Sequence, residues 1–220
     1  MSSIGLTRTL LGFCFLISMT GLISMLGGAS EAVEGDLIDG LRRGGYVIYF
    51  RHAATNPDQV DMDTAKLDRC ETQRNLSPDG RRMARDLGGA FQTLRIPVGK
   101  VVTSPYCRAV DTAELAFGRH ETSSALYFAM GAAKDQRESQ GAELRQMLST
   151  PPRRGTNTVI VSHHANLKEA TGLWPKREGD AHVFRPRPDG GFEHVGEVAV
   201  EEWSRRAGKA AQAPRPDGGS

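Results

Sequence analysis

Residues 45–53 read Gly-Tyr-Val-Ile-Tyr-Phe-Arg-His-Ala. Tyr46 to Phe50 is a short apolar run rich in β-branched and aromatic residues, set off by the Gly44-Gly45 break. A run without polar alternation is a strand buried on both faces. Lys100-Val-Val-Thr103 and Thr158-Val-Ile-Val161 repeat the pattern. Between the first two lies Ser77-Pro78-Asp79-Gly80, an N-cap with proline at the first helical position. Met83, Leu87, Phe91 and Leu94 follow at spacings of four, four and three, one apolar stripe on a helix. Cys107 to Phe117 and Gln140 to Leu148 read as further helices, the second stopped by Pro151-Pro152. Ala181 to Phe184 and Phe192 to Val200 read as a hairpin around Asp189-Gly190-Gly191. Apolar strands alternating with helices specify an α/β fold: a mainly parallel sheet covered by helices on both faces, in a single domain with a C-terminal hairpin.

The chain has 220 residues, with 28 Lys+Arg against 26 Asp+Glu and a formal net charge of +2. No block of five like charges occurs, which argues against a nucleic-acid partner or a polybasic membrane surface. Three cysteines, with no C-x-x-C or close Cys/His set, exclude a disulfide-stapled miniprotein and a structural zinc site. Thr9 to Gly28 is nearly all apolar or small, preceded by Arg8 and followed by Ala29-Ser30-Glu31-Ala32. Residues 1–32 therefore read as an export signal cleaved after Ser30 or Ala32, the alternative being an uncleaved anchor, which alone would give membrane contact. Phe13 before Cys14 is too bulky for a lipoprotein signal. Arg205 to Ser220 is mostly Ala, Gly, Pro and Arg without periodicity and reads as a disordered tail. These ends bound a folded domain over residues 33–204 and a periplasmic or secreted location.

In an open α/β sheet, ligands sit beyond the carboxyl ends of the strands. Arg51-His52-Ala53 follows the first strand, Ser104-Pro-Tyr-Cys-Arg108 the second and His163-His164 the third. An arginine after one strand is ordinarily a surface residue and a lone histidine ordinarily structural. Two arginines and two or three histidines converging on one rim point to an anion. Guanidinium forks hold phosphoryl oxygens by bidentate, charge-assisted bonds, a neutral imidazole attacks phosphorus, and such a cationic pocket needs no metal or other cofactor. The competing reading, a metal held by His52, His163 and His164, is opposed by the flanking arginines and by an expected strand alternation of His163 and His164.

Arg51-His52 at the strand end, Arg108 within Ser-Pro-Tyr-Cys-Arg-Ala-Val-Asp-Thr-Ala and His163 after Val-Ile-Val-Ser together resemble the histidine phosphatase superfamily, with the phosphoglycerate mutase-like fold, over roughly Gly45 to Trp203. The resemblance implies a phosphatase with His52 as the phosphorylated nucleophile, Arg51 and Arg108 as phosphate ligands and His163 as the second pocket histidine. By the same matching Thr55 is a further phosphate-pocket residue, and His164, next to His163 on the rim, is a candidate substrate-binding residue. Where mutase-type members carry Gly and then Glu-Ser after the first histidine, this chain has Ala53-Ala54-Thr55, which favours hydrolysis over mutase chemistry. His164 replaces the Gly or Asp of the known branches, leaving the leaving-group acid open among Asp135, Glu138, His164, Glu178 and Asp180.

The chain looks most like small exported bacterial phosphatases similar to lipopolysaccharide core heptose phosphatases. That implies a phosphorylated small-molecule, sugar or lipopolysaccharide substrate, a phosphomonoester or a phosphoramidate. The alternatives are a protein phosphohistidine phosphatase and a catalytically silent phosphate-binding or interaction protein. With Cys14 removed, Cys70 and Cys107 form an even pair that an oxidising compartment would bridge, beside Arg108; two buried thiols are the alternative.

Overall fold

The β-branched and aromatic run around Val47 does form the central strand. The computed structural model describes residues 37–62 and 67–212, so the expected export segment and residues 213–220 lie outside the described residues. Strands β1 (Val47–Arg51), β2 (Val98–Thr103), β3 (Glu121–Thr122), β4 (Asn157–Ser162), β5 (Ala181–Pro186) and β6 (Phe192–Val198) form one sheet in the order β3-β2-β4-β1-β5-β6. β1, β2, β3 and β4 pair in parallel, while β5 joins β1 antiparallel and β6 closes the hairpin. Every core strand starts or ends within two residues of its sequence-derived position. Gly44 adopts a φ of 80°, the left-handed turn that admits the chain to β1.

Helices α1 (residues 37–43), α2 (Pro78–Thr93), α3 (Cys107–Phe117) and α6 (Val200–Gln212) cover one face, and α4 (Lys134–Ser149) and α5 (His164–Thr171) the other. The pleat of β1 divides the core between them. Ile48 and Phe50 pack with Leu87, Phe91 and Trp203, whereas Val47 and Tyr49 pack with Leu144, Leu148 and Leu167. Ser77 caps α2 as its sequence predicts, its Oγ accepting the Gly80 N–H at 3.0 Å.

The expected tail is corrected in part. Residues from Arg205 continue α6 to Gln212. The reason is tertiary: Trp203 is fully buried, its ring centroid 4.9 Å from Phe91, and Ala207 and Ala210 follow at helical spacing against the same core. Small residues carry this stripe, so hydrophobic periodicity alone does not reveal it. The two-residue β3 and the helix α5 were likewise not apparent in the sequence pattern.

Candidate active site

The register of the parallel strands assembles the site. Arg51 stands opposite Ser162, and Thr103 opposite Val161, so the next residues of each strand, His52, Ser104 and His163, emerge together at the carboxyl edge. The backbone ties them there: the His52 N–H donates to the Ser162 carbonyl at 3.0 Å and the Ser104 N–H to the Val161 carbonyl at 2.9 Å. The His52 and His163 rings lie 5.4 Å apart.

Both rings are almost wholly buried. His52 Nδ1 is 2.9 Å from the Ala53 carbonyl, and a carbonyl only accepts, so Nδ1 carries the proton and Nε2 the lone pair. Burial, then the charge of Arg108, holds the His52 pKa well below 6.5, and burial with Arg108 does the same for His163. His52 is thus a neutral imidazole with a free nitrogen lone pair. His163 Nε2 pairs with Ser104 Oγ at 2.8 Å. His164, half-buried, is pushed down to about 4 by burial and by the charges of Arg51, Arg74 and Arg108.

Three guanidinium groups surround these rings, and two carboxylates rest on them. Arg108, 1% exposed, donates from Nη1 to Asp61 Oδ1 at 2.9 Å, and its guanidinium stacks 4.6 Å from the Tyr106 ring. Arg51 and Arg74 each lie 3.5 Å from Glu178 Oε1. Glu178 also accepts the Thr55 N–H at 2.9 Å and the Thr55 hydroxyl at 2.8 Å. Despite these pairs, Arg51 Nε, Arg108 Nε, His163 Nδ1 and His164 Nδ1 are buried without a hydrogen-bond partner. Such nitrogens are costly unless something accepts from them.

Neighbouring helices fix the loop after β1. Thr112 on α3 accepts the Ala53 N–H at 3.0 Å, and the Ser77 N–H donates to the Ala54 carbonyl at 3.0 Å. Gly80 permits that approach, because a Cβ there would meet the Ala54 oxygen at 1.8 Å. A disulfide joins Cys70 to Cys107, one residue before Arg108. Gln73 reinforces it, its Oε1 accepting the Cys107 N–H at 2.9 Å. Together they lock the segment bearing Arg74 to the start of α3.

The fold therefore brings together Arg51, His52, Thr55, Arg108, His163, His164 and Glu178. Three expected acid candidates lie elsewhere in role. Asp135 and Glu138 are exposed on the first turns of α4, Glu138 paired with Lys134, and the Asp180 carboxylate accepts from the Arg177 and Val200 N–H groups. His163 and His164 do not alternate across a strand. His163 caps α5 and His164 opens it, which leaves both rings against Phe128, at 4.9 and 5.6 Å. Arg74, Asp61, Ser104, Tyr106 and Phe128 were missed by the sequence reading. For Arg74 a signal existed, since it lies three residues before the Ser77 cap that docks on Ala54; the others depend on long-range packing. Beyond Asp61 and Tyr106 the site opens into a cleft of about 430 Å³ lined by Leu67, Tyr127, Phe128, Met130 and Gln136.

A histidine at a strand end flanked by arginines, with a second arginine opening the helix after the next strand, can now be compared with known proteins. Residues 47–126 match the family model of the histidine phosphatase superfamily (branch 1). That stretch carries Arg51, His52, Thr55, Arg74 and Arg108. No curated protein matches the chain. Among solved structures, a phosphoserine phosphatase variant from Entamoeba histolytica in complex with phosphoserine has a TM-score of 0.52 at 13% identity, covering 71% of this chain and 98% of that one. The protein histidine phosphatase SixA complexed with tungstate has a TM-score of 0.49 at 15% identity, covering 70% and 97% respectively. A mycobacterial glucosyl-3-phosphoglycerate phosphatase has 0.49 at 14% identity, with 69% and 97% covered. The phosphoserine phosphatase match is a likeness of fold, and it agrees with the α/β architecture described above.

Proposed function

We propose that this chain is a phosphatase that hydrolyses phosphomonoesters through a phosphohistidine on His52. The observation that carries the reading is the set of buried, unpartnered nitrogens on Arg51, Arg108, His163 and His164 around a neutral imidazole. The arginine Nε–H groups are obligatory donors, and the oxygens of a phosphoryl group are acceptors of matching geometry.

In this mechanism the incoming phosphoryl group takes over the guanidinium forks on which Asp61 and Glu178 rest. His52 Nε2 attacks phosphorus as the P–O bond to the alcohol breaks. The alcohol leaves with a proton from an acid of the pocket, and that group takes a proton back from the water that attacks the phosphohistidine, releasing inorganic phosphate and restoring the imidazole. Arg51, Arg74 and Arg108 stabilise the charge on the equatorial oxygens, and the Nδ1–H bond to Ala53 keeps the nucleophilic tautomer in place. Asp61 on Arg108, Glu178 on Arg51 and Arg74, and His164, which feels the charges of all three arginines, are the candidates to serve the leaving oxygen. A phosphorylated sugar or other small molecule is the substrate class this reading favours. The disulfide supports an extracytoplasmic location, since such bonds persist in oxidising compartments.

The test is hydrolysis of an aryl phosphate in chelator by the wild type and by His52→Ala, with trapping of the phosphoenzyme. Wild-type turnover with an acid-labile, base-stable phosphoprotein, absent in the variant, is expected. Equal turnover by both would remove His52 from the chemistry, and no turnover by either would favour a phosphate-binding protein.

A further inference from the structure

An alkoxide leaves phosphorus slowly unless it is protonated, and the three groups that could supply the proton have different surroundings. Glu178 has both oxygens engaged. Its Oε1 accepts the Thr55 hydroxyl at 2.8 Å and lies 3.5 Å from Arg51 and Arg74, while Oε2 accepts the Thr55 N–H at 2.9 Å. It holds the phosphate donors together and is not among the residues lining the cleft. His164 is covered by Trp174, with ring centroids 4.4 Å apart, and by Phe128 at 5.6 Å. With its pKa pushed down to about 4 by burial and the arginines, it is neutral at neutral pH.

Asp61 stands between the pocket and the cleft. Among the described residues that line the cleft it is the one carboxylate, and no histidine accompanies it. Its Oδ1 accepts from Arg108 Nη1 at 2.9 Å and from the Arg74 N–H at 3.0 Å, so neither bond uses Oδ2. Tyr106 and Phe128, which also line the cleft, have ring centroids 4.6 and 5.6 Å from the guanidinium carbon of Arg108. Arg108 is therefore the phosphate ligand that adjoins this cavity. The Asp61 backbone is held by the same strap: the Met62 N–H donates to the Thr72 carbonyl at 2.8 Å, and Thr72 and Arg74 follow Cys70, which the disulfide ties to Cys107.

We infer that Asp61 is the catalytic acid: with the phosphoryl group on the arginines, the alcohol extends into the cleft and Asp61 protonates its oxygen. This inference rests on the phosphatase reading above and assigns the step which that reading leaves open among three groups. The ester arrives as its monoanion, and its proton is shared with the carboxylate beside it. As the P–O bond breaks, Asp61 passes that proton to the alkoxide while His52 Nε2 bonds to phosphorus. The carboxylate then takes a proton from the water that attacks the phosphohistidine, and returns it to the phosphate, which departs as its monoanion.

The experiment compares two esters, nitrophenyl phosphate, whose phenolate leaves without a proton, and glycerol phosphate, whose alkoxide needs one. Asp61→Asn keeps an oxygen for Arg108 and Arg74 but has no acidic proton. It is expected to lower kcat/KM for glycerol phosphate by about a hundredfold more than for nitrophenyl phosphate, within the range a general acid supplies. The ratio of the two esters cancels any loss of folded protein or of support for Arg108, which affects both alike, and Asp61→Ala is expected to give the same ratio. Glu178→Gln and His164→Asn are expected to lower both esters together. An unchanged ratio in the two Asp61 variants, or a selective loss in Glu178→Gln or His164→Asn instead, would overturn the inference and leave the phosphatase reading intact. So would a wild type that cleaves nitrophenyl phosphate but not glycerol phosphate, since it would have no working acid. Hydrolysis of neither ester would refute the phosphatase reading, and this inference with it.

Discussion

Replacing Gly80 by alanine tests how the site is held. An added Cβ would stand 1.8 Å from the Ala54 carbonyl oxygen, 2.7 Å from its carbon and 3.0 Å from the Ala54 nitrogen. All three are backbone atoms of the segment between His52 and Thr55, so no side-chain rotation relieves the clash. Restoring contact at about 3.4 Å requires α2 and that segment to part by roughly 1.6 Å, which breaks the 3.0 Å bond from the Ser77 N–H to the Ala54 carbonyl. Overpacking costs about 1–3 kcal/mol and the lost hydrogen bond about 1, partly offset by the better helix propensity of alanine, for a net loss of about 2 kcal/mol. A displacement of this size at Thr55 and His52 lowers kcat/KM by about a hundredfold. Gly89→Ala is the control. It lies on the same helix with no atom within 4 Å of the added methyl, and it is expected to be neutral or to stabilise by up to about 1 kcal/mol. Urea unfolding and aryl phosphate turnover of the two variants decide the matter. A Gly80→Ala protein within about 0.5 kcal/mol and about threefold of wild type would refute the claim that this approach positions the pocket.

The Cys70–Cys107 bond closes a loop of sequence separation 37, for which chain entropy gives about 4 kcal/mol. The double variant Cys70→Ser, Cys107→Ser is expected to lose that much in denaturant unfolding, and a loss below about 1 kcal/mol would show that the loop is held by Gln73 and its other bonds alone. Stability should also fall on mild acidification. His52 and His163 have folded pKa values well below 6.5, so the unfolded chain binds protons first; their contribution is complete above pH 6.5 and is lost as pH falls towards the folded values. Two such buried groups set a limiting slope of about 2.7 kcal/mol per pH unit, and unfolding free energies that stay level from pH 7 to 5 would contradict the neutral, buried pair.

The sequence alone determined the three parallel core strands, the helices α2, α3 and α4, the C-terminal hairpin and the chemistry at three strand ends. Runs such as Tyr46 to Phe50 and Thr158 to Val161 are apolar on both faces because the strands are covered on both faces, and that pattern is local. Arg51, His52, Arg108 and His163 were legible because each directly follows a strand or opens the helix after one. Only the tertiary structure decided what stands opposite them. Asp61 and Glu178 reach the arginines from loops 47 residues before Arg108 and 127 residues after Arg51, distances over which no periodicity operates. Trp203 converts an apparent tail into α6 by filling a hole beside Phe50 and Phe91. Local pattern follows from the alternation and helical pitch of the backbone, whereas these contacts depend on which surfaces the completed sheet brings face to face.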